Sequence, residues 1–321
     1  MRPSEDLYEQ IIKATVLQAG AISTVIFFIV YGILIHLKLQ AYNLHLYINE
    51  RARSIYFPWI FIVCFNAILI MLHRLPLLEL WYTRDFDQFI LSTYAIMNGL
   101  LIHGRYWFVV TYFIGMVILI LFKKYTENIF FGLCLGIITL FYGLNFHLGL
   151  VDTQHSKAVL AYTFFIWLGF PIHRNWNYII SFAQQLNWKF LIAGLFLMFC
   201  IACYEGLTLS ESGVNDPFAS NRLSNITFSI IFFLFLLKIG AIQIINNLNP
   251  RKIVFGIYLI NSIVVLELSI LLNEYFHELG HLNIWSLLGL QFIYFLVILL
   301  VTYLIVNTLK KSILQWMIGV K

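Results

Sequence analysis

Long runs of apolar residues separated by polar connections organise this chain from residue 16 to residue 309. About 20 apolar residues in a helix cross a hydrocarbon core of about 30 Å. Inside that core there is no water to bond the backbone, so a lipid-facing segment must pair its own amides and carbonyls, as a helix does. The pattern predicts spans near 16–36, 55–72, 106–122, 129–147, 158–173, 188–204, 224–242, 253–272 and 284–309. The expected fold class is all-α, a polytopic transmembrane helical bundle of about nine spans, in one integral membrane domain over residues 1–321. An odd number of spans puts the termini on opposite sides.

Two connections are long, 73–105 and 205–223. In the first, Phe86, Phe89, Ile90, Tyr94 and Met97 recur at helical spacing, with Asp85, Asp87, Gln88 and Ser92 opposite. That arrangement predicts a helix lying in the membrane interface rather than a tenth span. The second connection, YEGLTLSESGVNDPFASNR, has the Ser, Gly, Asn, Asp and Pro content of an exposed loop.

Composition sharpens the class. The chain is 61% hydrophobic and 11% charged, with mean hydropathy +0.86, whereas soluble domains carry roughly a quarter charged residues. Membrane lipid is therefore its surroundings, and no nucleic-acid partner is expected. Residues 1–15, MRPSEDLYEQIIKAT, include three acids and no apolar core, so they are not expected to act as a cleavable signal peptide. Cys64, Cys134, Cys200 and Cys203 all fall in apolar segments, where a thiol packs as a small hydrophobe.

Charge sets the expected orientation. If the 36–54 connection is cytoplasmic, the same side takes Lys38, Arg51, Arg53, Lys123, Lys124, Arg174, Lys189, Lys238, Arg251, Lys252, Lys310, Lys311 and Lys321, most of the 20 basic residues. The opposite side takes most of the 15 acids. A Lys/Arg excess marks the cytoplasmic face. The C-terminus is then cytoplasmic and the N-terminus extracytoplasmic.

Candidate chemistry lies in a few polar residues. His277-Glu278-Leu279-Gly280-His281 matches HExxH, in which two histidines one helical turn apart bind zinc and the glutamate is the base. An intramembrane metalloprotease is the reading this motif would support. The motif sits in a short outer connection, and no Asp or Glu follows it as a third ligand. No metal site is therefore expected. Glu267 is the one acid placed inside a span, roughly 8 Å below the outer face at 1.5 Å per residue. Ionisable groups at such depths mark function. Lys238 is expected to snorkel to the cytoplasmic face. Six of the nine histidines, His73, His103, His147, His155, His277 and His281, fall outside, where they are potential general bases.

Five stretches together resemble a known family. They are AGAISTVIFFIVYGILI (19–35), RARSIYFPWI (51–60), GRYWFVV (104–110), WLGFPIHRN (167–175) and KIVFGIYLINSIVV (252–265). In order and in membrane sidedness they resemble the acyltransferase family 3 integral membrane O-acyltransferases of surface or secreted polysaccharides. The late helix, KIVFGIYLINSIVV, is the best single match. The chain departs from the pattern at three places. The family's first helix, with its histidine, is apparently lacking; the late-helix histidine is Asn261; and Arg51 and Arg53 are one residue closer than the common pair.

The resemblance implies a membrane-embedded enzyme moving an acyl group, expected to be acetyl, from cytoplasmic acyl-CoA to a hydroxyl of an extracytoplasmic glycan. Arg51 and Arg53 would hold the phosphates of acyl-CoA, since guanidinium forks suit phosphate. Trp107 and Asn261 are candidate substrate contacts, and His103 and Glu267 are candidate catalytic groups. The implied partners are an envelope or secreted polysaccharide and glycan-assembly proteins. The alternative within the same resemblance is a polysaccharide export or assembly protein without catalysis. The sidedness is directly testable: a C-terminal reporter fusion should be active in the cytoplasm, and activity only outside would overturn the orientation.

Overall fold

The apolar runs form helices. The computed structural model describes residues 7–73, 86–154, 158–240, 250–278 and 284–319. Its helices are α1 (Leu7–Ala21), α2 (Ser23–Leu39), α3 (Leu44–Arg51), α4 (Phe57–His73), α5 (Phe86–Asn98), α6 (Trp107–Leu121), α7 (Ile129–Leu148), α8 (Val159–Arg174), α9 (Trp176–Gln185), α10 (Trp188–Glu211), α11 (Leu223–Ile239), α12 (Pro250–Glu278) and α13 (Ile284–Lys310). No strand occurs among the described residues. Two π-helical turns, Ala52–Tyr56 and Gly99–His103, follow α3 and α5, and a 3₁₀ turn, Ile313–Ile318, follows α13.

Each predicted span coincides with a helix, so the all-α polytopic fold holds. Six helical stretches among the described residues are long and apolar enough to cross a membrane: Gln10–Leu39, Leu44–His73, Ile129–Leu148, Trp188–Glu211, Ile253–Leu272 and Leu288–Lys310. The number is seven if 86–102 and 107–121 form one interrupted span. Helices α6, α8 and α11, with 15, 16 and 17 residues, are shorter than a full crossing. The predicted interfacial segment is indeed helical, as α5, with Phe86, Ile90 and Tyr94 exposed and Ile96 buried. One amphipathic helix, α9, went unread in the sequence, because its ten residues fall in a short connection between two stronger apolar runs.

The chain divides into two units, residues 1–44 with 108–241 and residues 45–107 with 242–321. The first is built around α8, which buries Ala161, Tyr162, Thr163, Phe165, Ile166, Trp167, Gly169 and Phe170, residues on every side of the helix. Against it lies α2, and the crossing is set by two glycines. A Cβ on Gly32 would meet the Ile166 carbonyl carbon at 2.9 Å and the Gly169 Cα at 3.1 Å. A Cβ on Gly169 would meet the Ile29 carbonyl oxygen and the Ile33 amide nitrogen at 2.5 Å. Helices in lipid gain no hydrophobic drive from meeting each other, so close backbone approach at small residues carries much of their association. Trp167 fixes the next neighbour: its indole Nε1 donates to the Thr126 carbonyl at 2.8 Å, and its ring fills the space beside Gly132 on α7.

One end of this unit is closed by a buried arginine. Arg222, fully buried, donates to the carbonyls of Ala219 (3.2 Å) and Ala202 (2.9 Å) and to Gln18 Oε1 (2.5 Å), and lies 3.7 Å from Glu205 Oε2. Gln18 in turn donates to Asn225 at 2.7 Å, and Glu205 takes His147 at 2.9 Å and the Ser224 hydroxyl. Burial pushes the Arg222 pKa down, and Glu205 opposes that shift. At the end marked by Lys123, the Lys123 ammonium donates to the carbonyls of Gln40 (3.3 Å) and Tyr42 (2.9 Å) just past α2, where cations suit a helix C-terminus. Lys238 does not snorkel as expected. It is buried, donates to the Gln184 carbonyl at 2.6 Å and lies 4.9 Å from the Trp188 ring centroid, while Gln184 Nε2 caps the Leu237 and Lys238 carbonyls. The end of α9 supplies those partners closer than water would be.

The second unit has one apolar core. Ile62, Val63 and Ala67 of α4, Ile96 and Leu100, Tyr106, Ile253, Leu259, Ile260 and Val264 of α12, Ile298 and Val306 of α13, and Ile318 form it. The C-terminal turn ends at Gly319, whose φ of +73° is left-handed. A Cβ there would press on the Ser54 carbonyl and the Phe255 ring, so the turn seats directly on the π-helical segment that holds Arg53.

The glycine crossing yields a prediction. Gly169→Leu should lower the thermal stability of purified protein in detergent by the equivalent of about 1–3 kcal/mol or more, as overpacking does. Gly20→Ala, where an added Cβ meets nothing within 4 Å, should leave it unchanged. Equal melting of the two variants would remove the crossing's role.

Candidate functional site

Three segments of the second unit carry polar contacts between its apolar helices. Along α4, Trp59, Asn66 and His73 recur every seven residues, nearly two turns, and so share one stripe. Asn66, only 1% exposed, donates through Nδ2 to the Tyr106 hydroxyl at 3.2 Å and to Ser262 Oγ at 3.3 Å. The Tyr106 hydroxyl donates to the Leu259 carbonyl at 3.1 Å. Asn66 Oδ1 and Trp59 Nε1 are buried on this stripe with no hydrogen-bond partner among the described residues. Buried polar atoms in proteins are otherwise almost always paired, commonly by ordered water or ligand where side chains do not serve.

The second segment is the helix break at 104–106. Gly104 has φ −88° and ψ −159°, an extended conformation that ends the helical turn Gly99–His103, and α6 restarts at Trp107. A side chain on Gly104 would run into the Gly99 and Leu100 carbonyls at 2.7 Å, so the tight break needs glycine. The break is pinned to α12. Arg105 Nη1 donates to Asn261 Oδ1 at 2.6 Å, and the Tyr258 hydroxyl donates to the Arg105 carbonyl at 2.7 Å. Asn261 lies in the middle of the apolar stretch Ile253–Leu272, about 12 Å along the helix from its start. Arg105 is exposed, and among the described residues no carboxylate lies within ion-pair distance of it.

The third segment is the far end of α4. His73 Nε2 lies 3.0 Å from Glu267 Oε1 and 3.2 Å from Oε2, joining residues 194 positions apart in sequence. Both side chains are a little over one third exposed.

The sequence candidates distribute over these segments. Arg51 ends α3 half-buried, and Arg53 is exposed inside the π-helical turn that leads into α4. Such turns occur often at functional sites. His103 closes the other π-helical turn and Trp107 opens α6, so the two flank the break; the side chain of His103 lies outside the described residues. Asn261 and Glu267 both find partners, and these partners, Arg105 and His73, were the residues that sequence reading did not join to them. Separations of 156 and 194 residues leave no local signal for such pairs. Residues 279–281 of the HELGH motif, and the side chains of His277 and Glu278, lie outside the described residues. No cluster of metal-ligating side chains occurs among the described residues.

Helices of this length and apolarity define a multi-pass membrane protein. The chain belongs to acyltransferase family 3: that family's model, described as an acyltransferase domain, matches residues 4–307. It is a membrane acyltransferase by family. No curated protein and no solved structure matches the chain.

Tyr106 joins the helix break to Asn66 on α4 and to Leu259 on α12, and this link can be tested. Tyr106→Phe removes the acceptor of Asn66 and the donor to Leu259, and should cost about 1–3 kcal/mol. The readout is the melting temperature in detergent, with Tyr204→Phe, an exposed tyrosine, as the control that should not move.

Proposed function

We propose that this protein is a membrane-embedded O-acyltransferase that takes an acyl group, in the simplest case acetyl, from cytoplasmic acyl-CoA and gives it to a hydroxyl of an extracytoplasmic envelope or secreted glycan. The observation that carries the reading is the polar line of the second unit. Arg51 and Arg53 stand at the start of α4, Asn66 at its middle and His73 at its end, and 17 helical residues cover about 25 Å. A reaction that joins reactants from two sides of a bilayer needs such a line.

Each part has a role in this reading. Arg51 and Arg53 hold the phosphates of the donor at the cytoplasmic mouth, where Lys/Arg excess also places this end. The pantetheine arm then runs along α4 toward the middle of the membrane. There Arg105, oriented by Asn261 and by Tyr258, carries a positive charge at a depth where charge is costly unless it is used. Its remaining donors suit a thioester carbonyl as negative charge develops on the oxygen. Trp107, beside the break, offers a face for a sugar ring. The glycan approaches from the extracytoplasmic side. The cytoplasmic C-terminus and extracytoplasmic N-terminus belong to this reading, as does the membrane that bounds the cytoplasm.

The donor site is tested by charge-conserving substitution. Lysine keeps the charge of Arg51 or Arg53 and loses the guanidinium fork. Loss of one charge-assisted contact, roughly 1.5–3 kcal/mol, corresponds to about ten- to a hundredfold weaker donor binding. In complemented cells with limiting acyl-CoA, Arg51→Lys and Arg53→Lys should each sharply reduce glycan O-acyl content, with expression and topology intact. Full acylation by the double lysine variant would leave the pair only an anchoring role.

A further inference from the structure

We propose that His73 and Glu267 form the general-base pair of this acyl transfer, His73 acting on the acceptor hydroxyl and Glu267 positioning it. The inference rests on the acyltransfer reading above and adds the residue that removes the proton.

Three observations support it. Glu267 reaches His73 Nε2 with both carboxylate oxygens, at 3.0 and 3.2 Å; an ionised carboxylate only accepts, which selects the tautomer with the proton on Nε2 and leaves Nδ1 as the basic atom. A carboxylate that fixes the tautomer of an imidazole is the arrangement by which a histidine becomes an oriented base. Next, both side chains are about one third exposed, so a substrate can reach the ring, unlike the sealed Arg222 network of the other unit. Finally, the pair is tied to the mid-depth site by two rigid helices. His73 lies seven residues beyond Asn66 on one stripe of α4, and Glu267 lies six residues, about 9 Å, beyond Asn261 on α12. The other histidine–carboxylate pair among the described residues, His147 with Glu205, is different. Its carboxylate also takes Ser224 and faces the buried Arg222, which makes it part of the packing.

His73 Nδ1 takes the proton of the glycan hydroxyl as its oxygen bonds to the thioester carbonyl carbon. The carbon–sulfur bond then breaks with its electron pair on sulfur, and the imidazolium returns the proton to the departing CoA thiolate. Ester and free CoA thiol are the products, and no other reactant is required.

The experiment uses the full chain in detergent, with acetyl-CoA as donor and the producing cells' own extracted polysaccharide as acceptor. Acetyl-CoA binding is measured beside CoA thiol release. His73→Ala should bind acetyl-CoA as the wild type does, lose at least a hundredfold in kcat, and regain part of it with added imidazole. Glu267→Gln should lower kcat about ten- to a hundredfold with KM for acetyl-CoA unchanged, and Glu267→Asp should retain more activity than Glu267→Gln. Wild-type kcat in His73→Ala, or a loss that tracks reduced acetyl-CoA binding with no imidazole rescue, would overturn the pair while leaving acyl transfer standing. Absence of thiol release and acetyl-CoA binding in the wild type would instead overturn the acyltransfer reading, and the pair with it.

Discussion

A guanidinium in a membrane-spanning chain needs its donors answered by protein, by water or by something the protein binds, and two arginines among the described residues meet that need differently. Each nitrogen of Arg222 donates to a main-chain carbonyl or to Gln18, and the Glu205 carboxylate lies 3.7 Å away. Removing one side of such a network leaves a buried charge unpaired, at a cost of about 3–5 kcal/mol. Its work is to hold α1, α10 and the start of α11 together. Among the described residues Arg105 has a single side-chain acceptor, Asn261, which lies midway along an apolar helical stretch. The same chemistry is closed in one unit and open in the other. That contrast separates structure from function more sharply than either residue type does.

The open arginine depends on an irregular backbone. Ideal helices present side chains at fixed intervals, whereas the π-helical turns and the extended Gly104 re-aim the residues around them. Unpaired backbone is tolerated at membrane depth only where protein surrounds it or where it lines a cavity. Here the Tyr258 hydroxyl satisfies the Arg105 carbonyl, and the Tyr106 hydroxyl reaches Leu259 on the same helix. Tyr258 thus answers a carbonyl that the break leaves without a helical partner, and Tyr106 ties the break to α12. The Gly319 turn supports the other irregular segment, that of Arg53, from below.

What the sequence made legible follows from range. Apolar runs and Lys/Arg bias are local, so helices, their order and Arg51 and Arg53 could be read directly. Glu267 stood out because a lone acid in an apolar run is visible without knowing its partner. Arg105 did not, since it lies at the edge of a connection, where a cation is ordinary. Its meaning appears only when Asn261, 156 residues on, is found to accept from it. Arg222 was hidden for the same reason, inside a stretch whose Ser, Asn and Pro read as exposed loop. Lys238 misled in the opposite direction, because snorkelling assumes that water is the nearest partner and here the Gln184 carbonyl is nearer.

Asn261 links these arguments. A histidine at that position could itself exchange a proton, whereas an asparagine offers a fixed acceptor to a guanidinium and titrates nothing. The helix that carries Asn261 also carries Glu267, six residues further on, and Glu267 holds a histidine supplied by α4. In the proposed reaction, charge stabilisation and proton transfer fall at different depths of one helix pair, six residues apart on α12. Such a division suits a donor thioester presented from one face and a hydroxyl presented from the other, because each reactant then meets the group that acts on it before it meets the other reactant.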